Sequence, residues 1–281
     1  MKVWISGGSG FVGSHLVRAF DDVCAPAHSE VDVCDPDAVR RSIADYRPDA
    51  VVHAAILNDF TRLERDGWRG YVDATRNVVA AAGDAQVVLV STDWVFSGGP
   101  ASEDTPPNPI NLYGVLKAAS ELVVLAAGGA VARISAVQAA SDAPREQDAG
   151  FGYLVASLVR ALRARETFTV WEGENINMLA TPTLASDAAE LIARVVAGGH
   201  TGVLHCCGGE AVDRRTLAER TVAAFGLDRD RLAFGPPPEP PFPVPYDTRL
   251  DATATAATLG VELPDLDTQL RELRTTLEVQ V

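Results

Sequence analysis

No part of this chain approaches the run of ~20 apolar residues that crosses a bilayer, and its opening, MKVWISGGSG, carries no apolar stretch ending in a cleavage site. A cytoplasmic location with no membrane partner is the expectation. Cysteine is scarce: Cys24, Cys34, Cys206 and Cys207 show no CxxC spacing, and chain neighbours such as the last two seldom bond to each other. They read as small buried apolar residues. The five histidines stand apart with no HExxH-type spacing, so no metal is expected. Positive charge is also short, 24 Lys and Arg against 38 Asp and Glu, a formal charge of −14. Such a field repels phosphate backbones and anionic lipid and argues against a nucleic-acid partner. A small anionic ligand stays open, because backbone amides at a helix start hold phosphate whatever the net charge.

What the chain does have is apolar material, 47% hydrophobic against 22% charged residues over 281 positions. That is enough to bury roughly 70–75% of the unfolded surface. In the first half, short apolar runs alternate with amphipathic segments. Strands are predicted at Lys2 to Ser6, Asp22 to Ala25, Ala50 to Ala55, Val87 to Ser91 and Ala130 to Ile134. Helices are predicted from Phe11 to Phe20, after a cap at Asp35, near Trp68 to Ala82 and from Leu112 to Ala127. Runs such as AVVHAA and QVVLVS lack polar alternation, which fits a parallel sheet covered on both faces and a doubly wound α/β fold.

From Phe151 the pattern loosens into helices (Phe151 to Arg165, Asp187 to Ala197, Asp213 to Phe225) and short strands (Phe168 to Trp171, Val203 to Cys206). The segment Gly235 to Pro245 holds Pro236, Pro237, Pro238, Pro240, Pro241, Pro243 and Pro245, which forces extended backbone. The chain is read as a dinucleotide-binding Rossmann domain over residues 1–150 and a smaller substrate-binding lobe over 151–281, interleaved with the last sheet strands. The proline segment is read as a stiff strap laid over that lobe.

Ser6-Gly7-Gly8-Ser9-Gly10-Phe11-Val12-Gly13 follows the first strand and opens the first helix. A tight strand-to-helix turn needs residues without a Cβ, the backbone must approach a diphosphate closely, and the helix start offers free amides. Gly7, Ser9, Gly10, Phe11, Val12 and Gly13 are therefore the expected diphosphate-binding run. The GxxGxxG spacing resembles the short-chain dehydrogenase/reductase superfamily. In its extended members an Asp after the second strand region holds the adenine, which that resemblance places at Asp32-Val33. The stretch Ala25-Pro26-Ala27-His28-Ser29 carries neither the acidic residue that favours NAD nor the basic one that favours NADP, so either cofactor is open.

Asn111-Leu112-Tyr113-Gly114-Val115-Leu116-Lys117 places a phenol and an ammonium four residues apart, on one face of a helix. A phenol of pKa ~10 is a poor acid-base catalyst at neutral pH; a nearby Lys⁺ and the positive nicotinamide stabilise its anion. The run VSTDWVF ends a buried strand with Ser91 and Thr92 at its C-terminal edge, where ligands bind in open α/β sheets. Thr92 can polarise a substrate carbonyl while Tyr113 delivers the proton and hydride comes from the cofactor.

The STDWVFSG and PINLYGVLK runs, His53-Ala54-Ala55, ATPT at Ala180 to Thr183 and TRLD at Thr248 to Asp251 together resemble the dTDP-4-dehydrorhamnose reductases, over essentially the whole chain. They are similar also to the cofactor-binding regulatory subunit of methionine adenosyltransferase. The resemblance implies Thr92, Tyr113 and Lys117 for catalysis, with Gly7, Gly10 and Gly13 at the pyrophosphate. It also implies Ala54, Ala55 and Ser91 beside the cofactor and Asp93, Trp94 and Arg249 toward substrate. Trp94 stands where these reductases have Tyr, Ala136 where they have Trp, and Asp73 where the superfamily commonly has Asn. The expected activity is NAD(P)H-dependent reduction of a keto group on a nucleotide-linked deoxysugar or related carbonyl compound. The alternatives are an epimerase or dehydratase holding NAD, with Asp93 as its only acidic candidate, and a non-catalytic cofactor-binding subunit. A homodimer is the base-rate expectation.

Overall fold

In the computed structural model the described residues are 1–57, 60–140, 147–238, 240 and 242–279; Pro241 of the proline strap lies outside them. Six parallel strands form the main sheet: β1 (Lys2–Ser6), β2 (Asp22–Cys24), β3 (Ala50–His53), β4 (Gln86–Thr92), β5 (Ala130–Ile134) and, after the short strands named below, β10 (Gly202–His205). Their order across the sheet is β10-β5-β4-β3-β1-β2. The strand order turns between β1 and β3, and the crevice outside the carboxyl ends at such a switch point is where these sheets take ligands.

The predicted burial of both faces has a direct cause. Val3 and Ile5 point to one side with Val52, Val88 and Val90, and meet helix α1 (Gly13–Arg18) and the later helix α7 (Ala185–Ala197). Trp4, Val51, Val87 and Leu89 point to the other side, against α2 (Pro36–Tyr46), α4 (Ala74–Ala82) and α5 (Leu112–Ala126). Asp35 caps α2 by accepting from the amides of Asp37 and Ala38. The segment before α4, predicted as one helix from Trp68, is a short helix α3 (Leu63–Gly67) and a π-helical stretch Trp68–Asp73.

The later chain contributes short pairs, β6 (Val137–Gln138) with β9 (Thr183–Leu184), β8 (Leu179–Ala180) with β11 (Val212–Asp213), and β7 (Phe168–Trp171) with β12 (Leu232–Gly235). They share an apolar core with α6 (Leu154–Arg163), α8 (Arg214–Phe225) and α10 (Leu266–Val279). Helix α9 (Thr253–Leu259) packs near β10. Among the described residues no helix is long and apolar enough to cross a membrane. Cys206 and Cys207 are fully buried as expected, whereas Cys24 and Cys34 are only partly covered.

Candidate active site

The glycine loop sits at the carboxyl end of β1, beside the switch point. Gly7 adopts a φ of +75°, and a Cβ there would lie 2.7 Å from the Ala55 amide nitrogen, so only glycine lets the loop meet the end of β3. Gly13 is equally constrained, since a Cβ on it would collide with the Gly7 carbonyl. Ala54 and Ser6 are joined by a 3.2 Å backbone hydrogen bond, and the Ala55 amide donates to Ser6 Oγ at 3.3 Å. Ser9 and Gly10 stand exposed at the loop tip, Val12 packs into the core and the Phe11 ring lies 4.9 Å from that of Tyr153. A loop without Cβ atoms at this edge can accept the diphosphate of a dinucleotide. Asp32 is half-buried past the end of β2 and accepts from the Cys34 amide, while the Val33 carbonyl accepts from Asn77.

Helix α5 starts with Asn111, whose side chain accepts from the Gly114 amide at 2.9 Å. Gly114 has no Cβ because the Trp94 carbonyl occupies that space. The first turn of α5 is thereby pressed onto the end of β4, which brings Tyr113 to Thr92 and the two side chains into a hydrogen bond. The Tyr113 ring meets Tyr71 edge-on at 5.9 Å and Trp94 edge-on at 6.0 Å. Burial pushes the Tyr113 phenol up to about 12; the bond with Thr92 opposes this and the Asp93 carboxylate adds to it. The phenol therefore carries its proton at neutral pH.

Lys117 is 3% exposed, and its Nζ donates to the Val90 carbonyl at 2.6 Å, 6.0 Å from the Tyr71 ring centre. Burial lowers its pKa to about 8, partly offset by Glu121 one turn along the helix. The expected stabilisation of the phenolate by Lys117 is not among the influences on the phenol, which is set by desolvation against the bond from Thr92. His53, held to Ser6 Oγ at 2.6 Å, is pushed down to about 3 by burial and by Lys117, and stays neutral.

Two expectations are revised by the geometry. Ser91 does not present its hydroxyl to the crevice but donates it to Glu121 Oε1 at 2.5 Å. Asp93, expected at the substrate, is 4% exposed and accepts from three hydroxyls: Thr92 at 3.1 Å, Ser135 at 2.8 Å and Thr248 at 2.7 Å. It joins β4, the end of β5 and the TRLD segment from inside. Arg249 is paired with Asp247 at 2.7 Å and lines a surface depression of about 660 Å³ with Thr181, Gly208 and Leu263; neither Thr92 nor Tyr113 lines it. The structure thus brings together Thr92, Trp94, Tyr113 and Lys117, and leaves Arg249 aside.

Several groups in this neighbourhood had no place in the sequence reading. Glu121 and Arg133, 1% and 2% exposed, form a two-pronged pair at 3.1 and 2.8 Å. An arginine inside the apolar run AVARI and an acid four residues after Lys117 were visible signals for it. Tyr71, Tyr153 and Phe242 gave no such signal, because their rings arrive from distant parts of the chain. Tyr153 holds a left-handed conformation, φ +60°, as does Ala136 at φ +45°.

The sequence profile of the RmlD substrate binding domain family matches residues 1–279. The dTDP-4-dehydrorhamnose reductase of Mycolicibacterium smegmatis is 28% identical over 252 residues, covering 82% of this chain and 71% of that protein. The methionine adenosyltransferase 2 subunit beta of Bos taurus is 33% identical over 153 residues, 47% of this chain and 46% of the relative. Among solved structures, dTDP-4-dehydrorhamnose reductase from Bacillus anthracis in complex with NADP superposes with a TM-score of 0.82 at 21% identity, covering 98% of this chain and all of that one.

Proposed function

We propose, from the premise that the chain belongs to the RmlD substrate binding domain family of NAD(P)-dependent sugar-nucleotide oxidoreductases, that it reduces a keto group on a nucleotide-linked deoxysugar. The observation that carries this reading is the convergence of Tyr113, Thr92 and Lys117 at the carboxyl end of β4, beside a glycine loop at the switch point. Gly7 to Gly13 would hold the diphosphate of NAD or NADP, Ala54 and Ala55 the adjoining edge and Asp32 the adenosine end. When bound, the dinucleotide supplies the hydride.

The chain's own residues do the rest. Thr92 turns its hydroxyl from Asp93 to the substrate carbonyl oxygen, and Tyr113 passes its proton to that oxygen as the carbonyl carbon becomes tetrahedral. A phenol at about 12 is a weak donor, so the ammonium of Lys117, one helical turn away, is needed to support the phenolate left behind. Releasing the Val90 carbonyl frees Lys117 for this task. Residues 1–150 would carry the cofactor and 151–281 the walls of the sugar site.

The test is oxidation of NADPH or NADH in the presence of dTDP-4-keto-6-deoxyglucose. Turnover by the wild type and a loss of about 10²-fold or more in Tyr113→Phe support the reading; equal turnover by that variant refutes it. A second reading, cofactor binding without turnover, takes support from the half-length similarity to the bovine adenosyltransferase subunit. NADPH binding by calorimetry, with no turnover of any keto sugar, would select it.

A further inference from the structure

The stretch Ala25 to Ser29 has no acid of its own, but the fold brings one back to it. After β2 the chain makes a tight turn in which the amides of Glu30 and Val31 both donate to the Ala27 carbonyl, at 2.9 and 3.0 Å. The Glu30 side chain folds over the same turn and accepts from the Ala27 amide at 2.8 Å through Oε2. Its field reaches the strand itself: the Cys24 thiol, on the last residue of β2, is pushed up by burial and by the Glu30 carboxylate. A carboxylate from beyond the strand is thereby held at the carboxyl end of β2.

That end of β2 adjoins the glycine loop. A Cβ on Gly8 would lie 2.7 Å from the Ala25 Cβ and 3.2 Å from the Val17 side chain, so the loop, α1 and the residue after β2 are in contact. A dinucleotide whose diphosphate rests on such a loop puts its adenosine ribose past the second strand, where an acid holds the free hydroxyls and an arginine suits a 2′-phosphate. Asp32 is engaged further along, accepting from the Cys34 amide at 2.9 Å. Glu30 is the acid that faces back to the strand end.

No fixed cation answers that charge. Among the described residues Glu30 forms no ion pair, and its Oε1 accepts no hydrogen bond. Arg40 is paired with Asp37 at 2.5 Å, and Arg69, which acts on the Cys34 thiol, is opposed there by Asp32 and Asp73. The turn's own basic side chain, His28, is exposed to water. We infer that Glu30 is a specificity-determining residue of the dinucleotide site: its carboxylate receives the free hydroxyls of the adenosine ribose and repels a 2′-phosphate, so the chain takes NADH in preference to NADPH. This rests on the reading of the glycine loop as a dinucleotide site. A ribose hydroxyl can donate to Oε1, whereas a 2′-phosphate sets close to two negative charges beside a third.

The test is fluorescence titration of the full chain with NADH and with NADPH, which needs no sugar and no turnover. Wild type is expected to bind NADH about ten-fold more tightly. Glu30→Gln keeps an oxygen for the Ala27 amide and removes the charge, bringing the ratio to about two-fold or less, and Glu30→Arg inverts it. A carboxylate that only holds the turn together would weaken both dinucleotides alike in these variants and leave the ratio where it was. That outcome, or NADPH bound by wild type as tightly as NADH, overturns the role of Glu30 while leaving the dinucleotide site in place. Binding of neither dinucleotide by wild type overturns both.

Discussion

Replacing Asp93 by Asn isolates the energetic cost of a charge placed under the active site. The carboxylate is 4% exposed, and burial pushes its pKa up to about 6 despite hydrogen bonds from Thr248, Ser135 and Thr92. In the unfolded chain it returns to the ordinary 3.8. The native state therefore takes up a proton below pH 6 that the unfolded state does not bind until below pH 4. The cost of the charge is fully present above pH 6 and is relieved as pH falls toward 4. Between 3.8 and about 6, at about 1.4 kcal/mol per pH unit, that cost is about 3 kcal/mol at pH 7.5. Asn resembles the protonated acid: its oxygen can accept from Ser135 and Thr248, and its amide faces the Thr92 hydroxyl. At pH 7.5 Asp93→Asn is expected to be more stable by up to about 3 kcal/mol, an upward Tm shift of several degrees at about 2–4 °C per kcal/mol. At pH 5 the difference has fallen to about half, and the two proteins converge only near pH 4. Asp187, also pushed up to about 6, by burial and by Glu272 and Glu190, contributes equally to both and cancels. Urea denaturation of both proteins from pH 5 to 7.5 measures the difference. A difference that does not change with pH, or a variant less stable at pH 7.5, refutes the argument.

Three further outcomes follow from the same geometry. With Lys117 lowered to about 8, its ammonium is lost as pH rises through that value, so kcat/KM for carbonyl reduction falls above pH 8; a flat profile to pH 9.5 would contradict its role. Gly13→Ala drives a methyl into the Gly7 carbonyl, at a cost of about 1–3 kcal/mol in stability and at least ten-fold in NADPH affinity by fluorescence titration. Glu121→Ala strands the buried Arg133 and is expected to cost about 3–5 kcal/mol in chemical denaturation; a loss under 1 kcal/mol would show that the pair contributes little.

The parts legible in the sequence were those fixed by local rules. The glycine loop, the STDWVF strand end and the Tyr113–Lys117 spacing each depend on residues within a turn or two of one another, and all lie where the strand and helix periodicities placed them. The parts that escaped depend on distant chain. Thr248 reaches Asp93 across 155 residues and Phe242 reaches Trp94 from the strap, and no periodicity records either. Asp93 was placed toward the substrate by the resemblance; only the hydroxyls of Ser135 and Thr248 show that it points inward. The helix predicted from Trp68 to Ala82 breaks at the π-helical stretch Trp68–Asp73, whose residue Tyr71 is thereby set against Tyr113.

The central claim, that Tyr113, Thr92 and Lys117 complete a net reduction, is tested most directly with NADPH deuterated at the transferable position and dTDP-4-keto-6-deoxyglucose. The account predicts one deuterium on the reduced carbon of the product for each NADPH oxidised, formed about 10²-fold more slowly in Tyr113→Phe. Isomerised or dehydrated sugar without consumption of NADPH, or label retained wholly in the cofactor, would contradict it.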